Sequence, residues 1–585
     1  MAEIVNYRIP YGVSDFRRIR NEGLYYVDKT EYLAKMEALD SFVFFVRPRR
    51  FGKSLFISMM ESYYDLNQKK DFQKLFGGLW LGEHPTEYAN RYMVLKLDFS
   101  KVGGKTNDEL EKAFETHVGE RLEGFVRGYS SVFSGEFLEE FKKKGVVQRF
   151  EAVTIYARQH GVPLYLIIDE YDNFTNQMIR ATGVEDYRNI THGAGFYRNW
   201  FKKFKGDFDR IFMTGVSPVT MDDLTSGFNI ASNLSQESEF NAMLGFSEAE
   251  VAKMFRDYKG IGRFTEGDPD EIVRSIRPWY DGYCFATKKI GKESVFNSDM
   301  ALYYLKNLVA NGEPPENMVD GNIRTDYDKL KTITDIQRMI RAGSEEDVLD
   351  IVETLGGEGE IPFDLVDSFP AEQIVAPKNF KSLFFYYGIV TMSRRREGYS
   401  YFKVPNVCVR RQVLDHLRML NFERGYPDMD EWARAASRMA YDGEWRPFFD
   451  LIAANFKKSG AVRDGKNCEA RVQGYHQAEF AHLQFYLARP EMELSGGYSD
   501  FFLFPKREGD DVPTHSYIVE LKYSAADAPD SELAAKREQG IRQLREYAAD
   551  PAVPTLARDT TLRLVLLQWK FHDMVNCELV EERKM

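Results

Sequence analysis

The chain has 585 residues, enough for about three or four domains of ordinary size; 14% are aromatic and 29% charged, and nothing reads as disordered. A net charge of −12 and a pI near 5.5 argue against indiscriminate nucleic-acid binding, which needs a broad basic face, but leave room for a local basic groove. Cys284, Cys408, Cys468 and Cys577 form no C-x-x-C pair, the start MAEIVNYRIP has no leader pattern, and no run nears the ~18 apolar residues of a membrane span, so a cytoplasmic protein without zinc ribbon, disulfide framework or membrane contact is expected.

In chain order, Asp15 through Arg20 is read as a short helix broken at Gly23, and Tyr25 to Val27 as an edge strand. Phe42 to Val46, FVFFV, suits a central strand of a parallel sheet covered on both faces. After the loop RPRRF, Gly52-Lys53-Ser54 opens a helix whose apolar positions Leu55, Met59 and Tyr63 recur every four residues. Strand, loop and helix in that order are the setting of a Walker A loop. The nucleotide-binding positions would be Arg50, Phe51, Gly52, Lys53, Ser54 and Leu55. Backbone N–H groups at the helix start would face the phosphates of ATP, the Lys53 ammonium would reach the β/γ-phosphates, and the Ser54 hydroxyl would bind Mg²⁺. The usual pattern G-x-x-x-x-G-K-[ST] wants glycine where Arg47 stands, and Pro48 stiffens the loop. The competing reading is an ordinary helix N-terminus with a solvated lysine.

Tyr92 to Asp98 supplies another strand, and Leu110, Phe114, Val118 and Leu122, spaced by four, mark a helical crossover between Phe99 and Gly161. Leu164 to Ile168 is wholly apolar and ends in Asp169-Glu170, as a Walker B strand delivers its carboxylates to the carboxyl edge of a sheet. Asp169 would hold Mg²⁺ through water, and Glu170 would orient and deprotonate the attacking water. Gly195 to Lys205, aromatic and basic, is read as an amphipathic core helix. A third strand, Arg210 to Thr214, ends in a hydroxyl, and Thr214 is either a polar sensor between Mg²⁺ and water or a cap.

Together RPRRFGKSL (Arg47 to Leu55), YVDKT (Tyr26 to Thr30), LIIDEYD (Leu166 to Asp172) and TGVSP (Thr214 to Pro218) resemble a family of bacterial AAA-like P-loop ATPases. Members commonly end in a nuclease-like domain of the PD-(D/E)XK superfamily. RPRRFGKS is the usual loop of that family, so the resemblance makes Arg47 a family variation. It also implies a place near the adenine for Asp28 and Lys29, and it extends to WYDGYCF (Trp279 to Phe285), read as structural, and to the C-terminal region.

Ser247 and Glu250 form a capping box that opens a helical stretch to about Leu308, expected as the ATPase lid. NGEPPENMVDGN, Asn311 to Asn322, suggests a hinge. From Phe380 a helix, the strand Gly388 to Met392, a turn SRRREG and the strand Tyr399 to Val404 outline a winged helix. Arg394, Arg395 and Arg396 at the hairpin tip are either a phosphate-contacting wing or a solvated tip.

A nuclease of the resembled kind needs carboxylates converging on Mg²⁺ and a lysine near the attacking water. Asp500 and the pair Glu520 and Lys522 lie on apolar strands, and Glu520 and Lys522, two residues apart, point to the same face. The loop KREGDDVPTH lets the two strands pair antiparallel and sets Asp500 beside Glu520. Glu479, on a helix pattern from Tyr475 to Leu487, is a further candidate metal ligand. Gln539 and Gln543 lie on a helix from Glu532 to Ala548, with Gln543 favoured for the site, and a strand from Thr561 to Gln568 closes the α/β core. The metal would activate water and neutralise the scissile phosphate, with Lys522 orienting the water. The residue before Asp500 is serine, where the superfamily name has proline.

The expected fold is α/β: a AAA-like P-loop core over 1–240, a helical lid over 241–310, a helical and winged-helix-like region over 311–425, and a PD-(D/E)XK nuclease-like domain over 426–585. The expected function is ATP hydrolysis coupled to a Mg²⁺-dependent nuclease acting on DNA or RNA. Its alternative is an ATP-regulated switch that binds nucleic acid or a partner and keeps an inert nuclease fold. Many AAA-like enzymes complete their site with a neighbouring subunit's arginine, so a homo-oligomer is admitted, although no such arginine is named by the sequence. The chain has no G-x-S-x-G elbow, H-E-x-x-H helix or Rossmann G-x-G-x-x-G in the expected setting, which ranks esterase, protease and dehydrogenase chemistry low.

Overall fold

The computed structural model describes residues 8–104, 106–172, 196–218, 232–315, 317–320, 333, 348–356, 359–369, 373–374, 376–423, 429–458, 468–481, 483, 485–490, 493–494, 497–498, 501–505 and 512–585. The expected metal ligand Asp500, the loop at 221–231, nearly all of 321–347 and the hairpin loop at 506–511 lie outside the described residues. The chain forms two compact units, Met1–Ser344 with Pro362–Cys408, and Glu345–Ile361 with Val409–Met585.

In the first unit, β1 (Phe42–Val46), β2 (Met93–Asp98), β3 (Leu164–Asp169), β4 (Arg210–Gly215) and β5 (Ser232–Asn233) pair in parallel in the order β2-β3-β4-β1-β5. Every residue of β3 and β4 is buried, as their unbroken apolar runs require of strands covered on both faces. The β2–β3 crossover includes the helix Asn107–Gly128, and Leu110, Phe114, Val118 and Leu122 are all 0% exposed. This order sets the carboxyl ends of β1, β3 and β4 side by side, where open α/β sheets place their ligands.

Helix α1 (Phe16–Glu22) starts on the Asp15 cap and stops at Gly23, whose φ of 64° suits glycine. No edge strand forms over Tyr25 to Val27. Leu24 makes one isolated bridge to Arg8, while Tyr25 and Val27 are drawn into a helical core of this unit, so burial overrides β-propensity there. Helix α2 (Lys53–Tyr64) follows the loop after β1. That helical core is built on α3 (Glu248–Gly260), opened by the Ser247/Glu250 capping box, α4 (Pro269–Tyr280) and α5 (Ser298–Asn311).

A three-stranded sheet of order β6-β8-β7 contains β6 (Ile361–Phe363), where the chain re-enters this unit, β7 (Thr391–Arg396) and β8 (Tyr399–Lys403), with α6 (Pro377–Tyr386) before the hairpin. Arg394, Arg395 and Arg396 lie on β7, opposite Tyr401, Ser400 and Tyr399, and not in the turn. The turn is Glu397-Gly398, with φ of 53° and 90°, the left-handed pair that a two-residue hairpin needs.

In the second unit a five-stranded sheet runs β15-β14-β13-β12-β9, from β9 (Tyr486–Pro490), β12 (Phe501–Pro505), β13 (His515–Ser524), β14 (Thr561–Lys570) and β15 (Asp573–Lys584); β10 (Glu493–Leu494) and β11 (Gly497–Tyr498) form a separate ribbon. β13 and β14 are parallel and the other pairs antiparallel. One face, with Phe501, Leu503, Tyr517 and Val519, packs on α7 (Arg446–Lys458) and α8 (Cys468–Ala481). The alternate residues Phe502, Phe504 and Ile518 pack on α9 (Asp530–Ala548) through Leu544 and Tyr547. The expected helix to Leu487 stops at Ala481, because residues 486–490 pair with β12 as a strand. β15, absent from the expected core, closes the edge beyond β14.

Candidate functional site

The loop between β1 and α2 is shaped by left-handed backbone at Arg50 (φ 66°) and Gly52 (φ 94°), which turns successive N–H groups toward one side, a concavity suited to anions. Lys53 is 6% exposed and closes the loop on itself, its ammonium donating to the carbonyls of Arg47 (2.9 Å) and Pro48 (3.0 Å). Burial pushes the Lys53 pKa down; Glu170, Asp169 and Asp172 pull it back up. Phe51 anchors the loop on the segment after α4, edge-on to Tyr283 and Phe285 at 4.9 and 5.5 Å.

Arg47, in the glycine position of the usual pattern, is a strut. It is 2% exposed, donates to the carbonyls of Val46 (3.0 Å), Ser235 (2.6 Å) and Phe240 (2.9 Å), and lies over the rings of Phe45 and Phe285 at 4.3 and 4.1 Å. No carboxylate pairs with it among the described residues, and burial lowers its pKa to about 9.

The register of β3 brings Asp169 to the loop, where the Ser54 hydroxyl donates to its Oδ2 at 3.3 Å. Oδ1 of Asp169, in a side chain 5% exposed, has no hydrogen-bond partner among the described residues. Desolvation first, and then the neighbouring charge of Glu170, pushes the Asp169 pKa up to about 6, with Lys53 opposing. A buried carboxylate oxygen without a donor, beside a serine hydroxyl, fits a hard divalent cation. Glu170 has a φ of 53°, the left-handed strain that a non-glycine residue keeps only where its surroundings impose it, and it lines the same cavity as Lys53 and Ser54.

That cavity, ≈ 390 Å³, is within the size range of small-molecule sites and is lined by the loop together with apolar side chains, Ile19, Tyr25, Val27, Met254 and Leu302 among them. A lining that combines such a loop with apolar side chains fits a nucleotide's phosphates and base. Lys29 lines it too, with its ammonium held by the Ala242 carbonyl (2.9 Å) and Glu250 (2.7 Å). Asp28 accepts the backbone N–H groups of Thr30 and Trp80, which makes it a turn and cap residue.

Thr214 departs from the sensor expectation. It is 1% exposed, and its hydroxyl proton goes to the Phe45 carbonyl at 2.5 Å, because the parallel register sets Phe45 against Thr214. A carboxylate that the motif contained but the sequence reading left without a role is Asp172. It accepts the N–H groups of Val216 (3.2 Å) and Ser217 (2.7 Å) and so ties the segment after β3 to the end of β4. Gly215 permits this, since a Cβ there would lie 2.2 Å from Asp172 Oδ1. The TGVS run after a strand was the available signal.

In the second unit Glu520 and Lys522 stand in step with Ile518 on the α9 face, with Lys522 Nζ 2.6 Å from Glu520 Oε1 and Glu520 2% exposed. Gly540 of α9 makes room for Leu566, since a Cβ there would sit 2.6 Å from Leu566 Cδ1, and it places the helix in contact with Lys522. Gln543, one turn further on, gives its amide to the Tyr547 hydroxyl at 3.3 Å and leaves Oε1 without a partner among the described residues. Gln539 is exposed. Glu479 belongs to α8, which packs on the opposite face of the sheet, and it accepts from Trp432 Nε1 at 2.6 Å. The structure therefore brings Glu520, Lys522 and the Gln543 helix together, and sets Glu479 in a tryptophan contact. The described residues contain no group of three or more acidic, histidine or cysteine side chains that could hold a metal. With Asp500 outside them, Glu520 is the carboxylate present.

Residues 10–225 match the family model described as "Predicted AAA-ATPase", and residues 469–578 match that of the PD-(D/E)XK nuclease superfamily. An uncharacterized protein in the vnfD 5′ region of Azotobacter chroococcum mcd 1 is 27% identical over 306 residues, 51% of this chain and 52% of that protein. The chain thus spans about half the length of this curated relative. No described helix is long and apolar enough to cross a membrane.

Proposed function

We propose that this chain, which carries a AAA-ATPase-like domain at its N-terminus and a PD-(D/E)XK nuclease superfamily domain at its C-terminus, hydrolyses ATP with the first and cleaves DNA or RNA phosphodiesters with the second. The observation that carries the ATPase reading is the convergence of Lys53, Ser54 and the Asp169-Glu170 pair on one loop, with the Ser54–Asp169 contact at 3.3 Å. Mg²⁺ held by Ser54 and Asp169 would neutralise charge on the β- and γ-phosphates. Lys53 would exchange the carbonyls of Arg47 and Pro48 for phosphate oxygens, and the loop N–H groups from Arg50 to Leu55 would take the rest. Glu170 would accept the proton of the attacking water as the bond to the leaving ADP breaks.

The nuclease reading rests on the Glu520–Lys522 pair under α9. A divalent ion there would be held by Asp500 and Glu520 and would polarise the scissile phosphate. Lys522, already paired at 2.6 Å, would orient the attacking water, with Gln543 beside it.

Two assays on the full chain separate the parts. Lys53→Ala and Glu170→Gln are each expected to lower ATP turnover at least about 100-fold, the scale of losing one preorganised group. Turnover that survives both changes would remove the ATPase assignment. Cleavage of labelled duplex and single-stranded DNA and RNA with Mg²⁺ should disappear in Asp500→Ala and in Glu520→Ala. If wild type cuts none of these substrates, the second unit is an inert fold under ATP control.

A further inference from the structure

Three arginines precede the Gly52 turn, and the fold treats each differently. Arg47 is sealed against backbone carbonyls and rings. Arg50 pairs with Asp299 of α5 at 3.1 Å and lies 3.9 Å from Asp320. Arg49 is exposed, lines the cavity with Lys53, Ser54 and Glu170, and has no hydrogen-bond or ion-pair partner among the described residues.

Charge balance makes that position informative. Four cations line the cavity, Lys29, Arg49, Arg50 and Lys53. Glu250 engages Lys29 and Asp299 engages Arg50, which leaves Arg49 and Lys53 for an incoming anion. Arg49 and Lys53 line the same cavity, so two positive charges face one space. Asp169 and Glu170 add two negative charges to those of a triphosphate in the same place, more than Lys53 and a bound Mg²⁺ would together offset. The backbone on both sides of Arg49 is fixed: the Pro48 carbonyl receives Lys53 Nζ at 3.0 Å, and the Arg50 carbonyl receives the Ser298 hydroxyl at 3.2 Å. The loop thus fixes the Cα from which the guanidinium reaches, and the planar fork matches phosphate oxygens two at a time.

We propose that Arg49 is a catalytic residue of the nucleotide site, acting within its own chain: its guanidinium grips the terminal phosphate of ATP and stabilises the charge that grows there during transfer to water. This rests on the ATPase reading above. Water attacks the γ-phosphorus, the bond to the β,γ-bridging oxygen breaks with its electron pair leaving on ADP, and Glu170 takes the proton. Arg49 exchanges no proton and acts by charge and hydrogen bonds.

The test uses the full chain as wild type, Arg49→Ala, Arg49→Lys and Lys53→Ala. Steady-state ATP hydrolysis is read together with binding of a fluorescent ADP and its displacement by a non-hydrolysable ATP analogue. Arg49→Ala is expected to lower turnover about 100-fold or more and affinity for the ATP analogue about tenfold, while ADP affinity stays within about threefold because ADP lacks the phosphate that Arg49 reads. Arg49→Lys should recover part of the analogue affinity by charge alone. Turnover of Arg49→Ala within threefold of wild type overturns the inference, and so does an equal loss of ADP and ATP affinity. Recovery of hydrolysis on mixing Arg49→Ala with Lys53→Ala would also overturn it, since that places the arginine in a neighbour's site. A wild type that binds ADP and loses hydrolysis only in Lys53→Ala sinks the role of Arg49 alone, whereas a wild type that binds neither nucleotide sinks the ATPase reading with it.

Discussion

At the scale of single residues, Asp169 and Arg47 are both buried charges whose pKa burial shifts toward the neutral form, and they differ in the groups that meet the charge. Asp169 has a folded pKa of about 6, above the unfolded carboxylate value near 3.9. The penalty for ionising it in the fold is therefore absent below about pH 4, grows between about 4 and 6, and is complete at pH 7. Asp169→Asn should raise the stability of the nucleotide-free chain at pH 7 by about 2–3 kcal/mol and have a much smaller effect near pH 4, measured by urea unfolding at the two pH values. The same protonation should make kcat/KM for ATP fall as pH drops below about 6, since a neutral carboxyl is a poor cation ligand. A kcat/KM that stays flat to pH 5 would show that this carboxylate does not control the site. Arg47 behaves otherwise, because its charge is met by three carbonyls and two rings. Arg47→Gly restores the common loop pattern and yet should destabilise the unit by about 3 kcal/mol, through lost hydrogen bonds and an unfilled space. An unchanged urea midpoint would refute the strut.

At the scale of elements, the site depends on how strand ends are tied together. Asp172 fastens the segment after β3 to the N–H groups after β4, and Gly215 leaves the space for it. Gly215→Ala should therefore cost about 2–4 kcal/mol and loosen the Asp169-Glu170 end, seen as a lower melting temperature and weaker ATP binding in the same variant. The strands themselves were legible in the sequence: FVFFV and LYLIID are runs that only a doubly covered sheet buries, and within YMVLKLD the strand MVLKLD alternates buried with half-buried positions. What happens at their ends was not. TGVSP gives no hint that Thr214 donates to Phe45, because that bond depends on which strand lies next to β4. The turn after β7 was misplaced for a local reason: three arginines look like a solvated tip, but the left-handed pair Glu397-Gly398 is the cheaper place to reverse the chain.

For the molecule as a whole, the core on α3, α4 and α5 draws only on residues of the first unit, and the two cores flanking the C-terminal sheet only on residues of the second. A ligand of the first unit should then stabilise that unit and leave the other where it was. In scanning calorimetry, ATP with Mg²⁺ at about 100 times its dissociation constant should raise the stability of one transition by about 2.7 kcal/mol and leave a second unmoved. A single transition that shifts as one body would show that the units unfold together.

The sequence by itself determined the order of chemistry along the chain. It placed a phosphate loop after an apolar strand, an acidic pair at the end of another, and an E-x-K on a strand near the C-terminus, because each is a local pattern of period and spacing. It also determined that Glu520 and Lys522 share a face, since alternation along a strand needs no partner to be known. Only the tertiary structure decided that Glu479 faces Trp432 across the sheet from that pair, that Arg47 is a buried strut, and that, of the two loop arginines lining the cavity, Arg50 is paired with Asp299 while Arg49 has no ion-pair partner among the described residues. Those outcomes depend on which side chains arrive from distant segments, Ser235, Phe285, Asp299 and Trp432 among them, and no local period encodes who the neighbours will be.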